Sequence, residues 1–218
     1  MTFLHNPVSF PHARQENRPE GRRYVTPEGR AYPSITTILG SKPKEALEEW
    51  KKRVGEREAS KICKQAADSG TELHDALEAY LGNQPVPTLM PDVRMGVKRV
   101  QQFLDKNVTK VYALECPVYS DTLRTAGTCD FFGEMHGVPV VGDFKTTRSP
   151  KKREWIDDYF VQATFYAYAI WERTGIRPRR IVIMMTTLDG RFQLFDDHPV
   201  NWINRMQEVI EEFHTRET

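Results

Sequence analysis

The sequence predicts an α/β fold, a central mixed β-sheet flanked by helices, with a helical region toward the N-terminus. Strong helix formers fill Ser41 to Leu81, three strand-like runs follow with only turn residues between them, and a helix, two strands and an amphipathic helix close the chain. The 218 residues suit one domain of ordinary size over 23–218, with a helical arch over about 34–107 and an α/β core over about 70–218. Residues 1–22 carry Pro, Asn, His and Arg without periodicity and read as a flexible arm.

In order, YVTPEGRAYPSITTIL predicts a short hairpin turning at Pro27 to Gly29, then a brief helix entered near Ser34. Between Ser41 and Leu81, breaks at Gly55 and Gly70 give two or three helices. Pro85, Pro87 and Pro91 mark a loop, after which Asp92 can cap a helix whose Val93, Val97, Val100 and Leu104 share one face. VTKVYALECPVYS, RTAGTCDFFGEM and VPVVGDFKTT, separated by SDTL and HG, form a three-strand meander. A helix from about Pro150 to Arg173 follows, then the strand RRIVIMMTT, a turn at Asp189 and Gly190, the strand RFQLF and a helix from about Pro199.

The composition, 39% hydrophobic and 28% charged with formal net charge +1, excludes a disordered or membrane protein and names no partner. No window approaches the roughly 18 apolar residues of a membrane helix. The N-terminus lacks both the order of a secretory signal and the Arg- and Ser-rich character of a transit peptide, so the expected location is cytoplasmic, in a bacterium or a virus-infected host cell. Cys63, Cys116 and Cys129 are odd in number and without CxxC spacing, which suggests neither a disulfide framework nor a zinc ribbon.

VVGDFKTT, Val140 to Thr147, sets an aspartate and a lysine at the end of a strand expected to be buried, where charge is costly. If the second and third meander strands join through His136 and Gly137, Met135 faces Val138 and Asp130 falls opposite Asp143; a four-residue loop keeps this register. Opposed β-carbons on a shared face lie about 4.5 to 5.5 Å apart, and Lys145 projects from that face too. Carboxylates so close repel unless a positive charge, usually a divalent cation, sits between them. The alternative is ordinary surface charge at a strand end, and a three-residue loop would take Asp130 off the face. In GTELHDALEAYL, Leu73, Leu77, Tyr80 and Leu81 form an apolar stripe, with His74 and Glu78 one turn apart beside it. That position lets His74 reach a sheet edge; a lone helical histidine is otherwise a solvated or core residue, and Glu78 reads as structural.

GTELH at Gly70 to His74, Glu115, GTCD at Gly127 to Asp130, GDFKT at Gly142 to Thr146, and Gln162 with Tyr166 resemble, in this order, the motifs of the PD-(D/E)XK nuclease superfamily. The QxxxY spacing marks its RecB-like branch, and YPSITTIL extends the resemblance toward the mitochondrial genome maintenance and small phage exonucleases of that branch. The resemblance implies a restriction-endonuclease-like core and a divalent metal, Mg²⁺ or Mn²⁺, on His74, Asp130, Asp143 and the main-chain carbonyl of Phe144. It also implies Lys145 as the catalytic lysine, Glu115 as a ligand or an organiser of water, and Gln162 and Tyr166 facing the site to orient Lys145 or touch a phosphate. Some relatives hold an iron–sulfur cluster on four cysteines; the three here imply none.

Phosphodiester hydrolysis needs water made nucleophilic near neutral pH and neutralised charge on the phosphoryl oxygens. Carboxylates suit Mg²⁺ or Mn²⁺, and an imidazole shifts the preference toward Mn²⁺. A lysine can donate to the attacking water or the developing oxyanion, so Lys145→Ala should abolish cleavage while leaving folding and most binding intact. Around such a site Lys42, Lys44, Lys51, Lys52, Arg53, Arg57, Lys61 and Lys64 are interspersed with Glu45, Glu48, Glu49, Glu56 and Glu58, so a salt-bridged surface and a phosphate track are equally open. Arg148, Lys151, Lys152 and Arg153 read as nearly unopposed and favour phosphate contact. Tyr24, Tyr32 and Trp50 suit base stacking or packing equally. The expected partner is DNA, single-stranded or with free ends, and the expected activity that of an exonuclease. The rivals are an endonuclease on branched or duplex DNA, an RNA-processing enzyme and a non-hydrolytic binding module.

Overall fold

A computed structural model of the chain describes residues 2–11, 13–41 and 45–216, and of 45–47 the backbone alone. Lys42, Lys44 and the side chain of Glu45 therefore lie outside the described residues. The elements are β1 (Arg14–Arg18), β2 (Gly21–Val25), β3 (Ala31–Pro33), α1 (Ile35–Gly40), α2 (Glu45–Val54), α3 (Glu56–Leu81) and α4 (Pro91–Asn107). They continue with β4 (Val108–Ser120), β5 (Thr125–Met135), β6 (Val138–Thr147), α5 (Asp157–Thr174), β7 (Arg180–Thr187), β8 (Phe192–Asp197) and α6 (Ile203–Arg216). Strands β1 to β3 form a small antiparallel sheet, and β4-β5-β6-β7-β8 form the central one. Its β6–β7 pair is parallel and its other pairs antiparallel, which makes the sheet mixed as the sequence predicts.

Strand alternation sorts the core into two layers. Val141, Ile181, Ile183 and Met185 pack with α1, α5 and α6 through Ile35, Phe160, Phe165, Met206 and Ile210. Val140, Phe144, Val182 and Met184 face the other way, against Leu73, Leu77 and Leu81 of α3 and Val93, Val97, Val100 and Leu104 of α4. The helical periodicities of α3 and α4 thus exist to cover one sheet face. Among the described residues no helix is long and apolar enough to cross a membrane.

Four expectations about the elements differ from the structure. The segment expected as a loose arm is ordered: Val111 N–H donates to the Leu4 carbonyl at 2.9 Å, Asn6 N–H to Val111 at 2.9 Å and Val8 N–H to Tyr112 at 3.0 Å, while Phe3 is buried and β1 follows. Backbone pairing over so few residues leaves no side-chain period to read. Helix α3 runs unbroken through Gly70, whose Cβ would find only Thr146 Oγ1, at 3.7 Å. The buried leucine stripe outweighs the roughly 1 kcal/mol that glycine costs a helix. Asp92 does not cap α4; Met90 holds that place, Pro91 opens the helix and Asp92 sits in the first turn, where its charge suits the helix dipole. Helix α5 starts at Asp157, after a 3₁₀ turn over Arg153–Trp155, because Gln193 clamps the backbone of Lys151 with bonds of 2.8 and 2.9 Å.

Candidate active site

The β5–β6 hairpin turns at His136 and Gly137, both at positive φ (51° and 81°), the geometry of a two-residue type I′ loop. Its register runs from Met135–Val138 to Phe131–Gly142, as the sequence predicts. There the strands part: β5 stays with β4 as far as Ser120–Thr125, and β6 stays with β7 as far as Thr147–Thr187. Asp130 and Asp143 are the first residues inside this fork. They are opposed by register but are not ladder partners, because the Phe144 N–H donates to Asp130 Oδ2 at 2.8 Å instead.

Two groups meet in the fork. Glu115, between the pairs Leu114–Phe131 and Cys116–Cys129, stands opposite Asp130. Its φ of 41° lies in the left-handed region, a conformation that costs a glutamate energy and that clusters at functional sites. Helix α3 brings His74, whose Nε2 lies 2.9 Å from the Phe144 carbonyl and whose Nδ1 lies 3.4 Å from Glu115 and 3.6 Å from Asp130. One ligand atom from each of His74, Glu115 and Asp130 falls within 4.8 Å of the others. The second group faces α5. Lys145 Nζ donates to Asp143 Oδ1 at 2.6 Å and is equally near Oδ2, and Gln162 Nε2 donates to Asp143 Oδ1 at 3.2 Å and to Tyr166 Oη at 2.9 Å. Lys145 also lies over the Tyr159 ring, 5.3 Å from its centroid. Gly127 makes room for this arrangement, since a Cβ there would come within 2.7 Å of the Tyr166 ring.

The electrostatics of the site are those of carboxylates short of positive charge. Burial pushes Asp143 up to about 6, against the pull of Lys145, and raises Asp130 as well. Burial works against the His74 imidazolium, yet the hydrogen bond to Glu115 and the charge of Asp130 push it up to about 9. The Lys145 ammonium is likewise opposed by burial but raised by Asp143 and Asp130. Asp143 Oδ2 is buried and meets no donor in hydrogen-bond geometry, its charged neighbour being Lys145 Nζ at 2.6 Å. Hard carboxylate oxygens and one imidazole, all within 4.8 Å of one another on His74, Glu115 and Asp130, are a donor set that fits a divalent cation.

A cleft of about 180 Å³ opens onto His74, Glu115, Asp130, Lys145, Gln162 and Tyr166. Of the predicted residues, the buried Asp143 and Phe144 are absent from its lining, and Phe144 meets His74 through its carbonyl. Arg22, Tyr24, Thr36 and Thr128 line it too. Arg22 and Thr36 carry no local sequence signal; the docking of β2 and α1 beside β5, through the Ser34–Ala126 bridge, brings them in.

The basic residues divide. Arg153 is not unopposed: it pairs with Asp197 and lies over the Phe160 ring at 4.5 Å, and Lys152 sits 3.8 Å from Glu154. Arg148 and Lys151 have no ion pair among the described residues. Lys51, Lys61 and Lys64 pair with Glu48, Glu58 and Asp68, which favours a salt-bridged surface there. Tyr24 and Tyr32 are packing residues, buried with their hydroxyls on Thr128 and Asp121; Trp50 is half-buried.

The chain is similar to mitochondrial genome maintenance exonuclease 1 of Homo sapiens, 30% identical over 143 residues that cover 61% of this chain and 40% of that protein. It thus spans less than half of that relative's length. No family model matches the sequence. Among solved structures it is similar to a protein from Eubacterium rectale provisionally named an exonuclease, with 12% identity, a TM-score of 0.48, and coverage of 68% of this chain and 65% of that one.

Proposed function

We propose that the protein is a metal-dependent nuclease of the PD-(D/E)XK type that hydrolyses phosphodiester bonds in DNA, acting as an exonuclease on single strands or free ends. The observation that carries this reading is the fork in the sheet, which gathers His74, Glu115 and Asp130 within 4.8 Å and sets the Lys145–Asp143 pair beside them. The sequence relationship to an exonuclease supports it. A Mg²⁺ or Mn²⁺ ion held by His74, Asp130, Asp143, Glu115 and the Phe144 carbonyl would supply an activated water and neutralise phosphoryl charge.

The chain's own groups do the rest. Asp130 accepts the Phe144 N–H and so helps to hold the residue whose carbonyl meets His74. Lys145, kept protonated by Asp143, lines the cleft and can donate to the attacking water or to the oxyanion as charge develops. Gln162 holds the Asp143 carboxylate and Tyr166 receives the same amide, so both act by positioning Asp143 and, through it, Lys145.

A linear and a circular single-stranded DNA, each incubated with Mg²⁺ or Mn²⁺, test the reading. Loss of the linear form alone supports an exonuclease, cutting of both an endonuclease, and retarded mobility without cutting a binding module.

A further inference from the structure

Resting on that reading, we propose that Arg22, with Thr36 beside it, binds the phosphate next to the scissile one and so sets the register of the strand in the cleft. Arg22 lines the same cleft as His74, Glu115, Asp130 and Lys145. The other cations there are engaged, Lys145 by Asp143 and His74 by Glu115, Asp130 and the Phe144 carbonyl. The Arg22 guanidinium is exposed and has neither an ion pair nor a hydrogen bond among the described residues. An arginine that faces an acid-lined cleft and pairs with none of its acids is available to an incoming anion. Its planar fork matches the non-bridging oxygens of a phosphodiester.

The base of the side chain is fixed. Arg22 N–H donates to Thr37 Oγ1 at 3.1 Å, and the Arg22 carbonyl accepts from Ser34 N–H at 2.9 Å and from Thr37 Oγ1 at 3.2 Å. Gly21 permits this approach: a Cβ there would meet Thr37 Cγ2 at 2.5 Å. Ser34 Oγ, the cap of α1, also bonds Thr36 Oγ1 at 2.8 Å, which orients a second donor at the cleft wall. Holding the residue in advance removes part of the ordering cost of binding. Lys145 is set deep, its side chain only 19% exposed, whereas Arg22 and Thr36 are exposed at the rim. The rim groups therefore reach a flanking phosphate while Lys145 serves the reacting one. On this reading the small sheet exists to carry Arg22 to the cleft.

The test is binding of a fluorescein-labelled single-stranded oligonucleotide, followed by anisotropy in EDTA so that no cleavage intervenes. Arg22→Ala should bind about tenfold to a hundredfold more weakly. It should also flatten the plot of log K against log salt by about 0.7, the share of one phosphate contact on a single strand. Arg22→Lys should keep the slope and recover part of the affinity. With oligonucleotides carrying one neutral methylphosphonate at successive positions, the Arg22→Ala penalty should vanish only where the neutral group replaces the phosphate beside the cut. An unchanged salt slope, or a penalty that persists at every position, overturns the proposal. Cleavage by the parent protein with Mn²⁺ is read separately. If the parent cuts and Arg22→Ala binds as it does, Arg22 alone is excluded. If the parent binds without cutting while the slope flattens, the hydrolytic reading falls and the phosphate contact stands. If the parent binds no strand in EDTA and cuts none with Mn²⁺, both fall; if it cuts without binding in EDTA, the phosphate contact alone falls.

Discussion

Gly127→Ala probes how tightly Tyr166 is held. The added Cβ would stand 2.7 Å from Tyr166 Cε1 and 3.4 Å from both Tyr166 Oη and Ile35 Cγ2. Carbon pairs settle at about 3.5 to 4.0 Å, so the ring must retreat by roughly 1 Å. It has little freedom to do so, because it is buried between α5 and the sheet and its hydroxyl accepts from the Gln162 amide that also holds Asp143. Overpacking of this kind costs about 1–3 kcal/mol. Alanine returns roughly 0.4–1 kcal/mol by restricting the unfolded chain, which leaves a net loss centred on about 1.3 kcal/mol. Urea unfolding followed by circular dichroism, with an unchanged m-value, measures it. Removing the ring with Tyr166→Leu should make the double variant less damaged than the two single losses added together. A Gly127→Ala protein within about 0.5 kcal/mol of the parent, or strictly additive losses, would refute the packing argument.

Lys145→Ala should lower cleavage about a hundredfold or more. Against the expectation of intact folding, it should also destabilise the chain on the order of 3 kcal/mol at neutral pH, because Asp143 is left buried with only Gln162. Burial already holds the Asp143 carboxyl above its unfolded value, so the variant should regain stability as pH falls through that raised value. Urea melts at about pH 5 and pH 8 would show this, and an equal deficit at both would count against it. Asp121 behaves oppositely. Burial raises its carboxyl, but Tyr32 at 2.7 Å, Arg173 at 2.8 Å and Arg30 at 2.6 Å outweigh that and hold it below the ordinary value of 3.8. Its stabilisation is therefore present above that value and lost as acid passes below it. The stability gap between the parent and Asp121→Asn should be flat near neutrality and close below about pH 4 in thermal melts; a gap independent of pH would exclude a depressed carboxyl.

The register of β5 and β6 was legible because a two-residue turn and a period of two leave few alternatives. The parting of those strands was not, since it depends on the Asp130 carboxylate taking the Phe144 N–H in place of a ladder bond. As a result the side chains fall into two groups, with Glu115 joining His74 and Asp130 while Asp143 pairs with Lys145, rather than one row on one face. Glu115 owes its place to a left-handed backbone that no local pattern announces. Arg153 looked free because Asp197, which it meets, lies 44 residues further on. Arg22 sits in an unremarkable hairpin, and only the docking of that hairpin and α1 against β5 gives it a position.

Residues 4–8 do more than tidy a terminus. They lie along β4, the outermost strand of the central sheet, and occupy backbone groups at Val111 and Tyr112. A chain shortened by its first ten residues would bare those amides and carbonyls, and an open strand margin is a template for another chain. Protein lacking these residues should therefore associate strand to strand, and a purification that clips them would be selecting for aggregates.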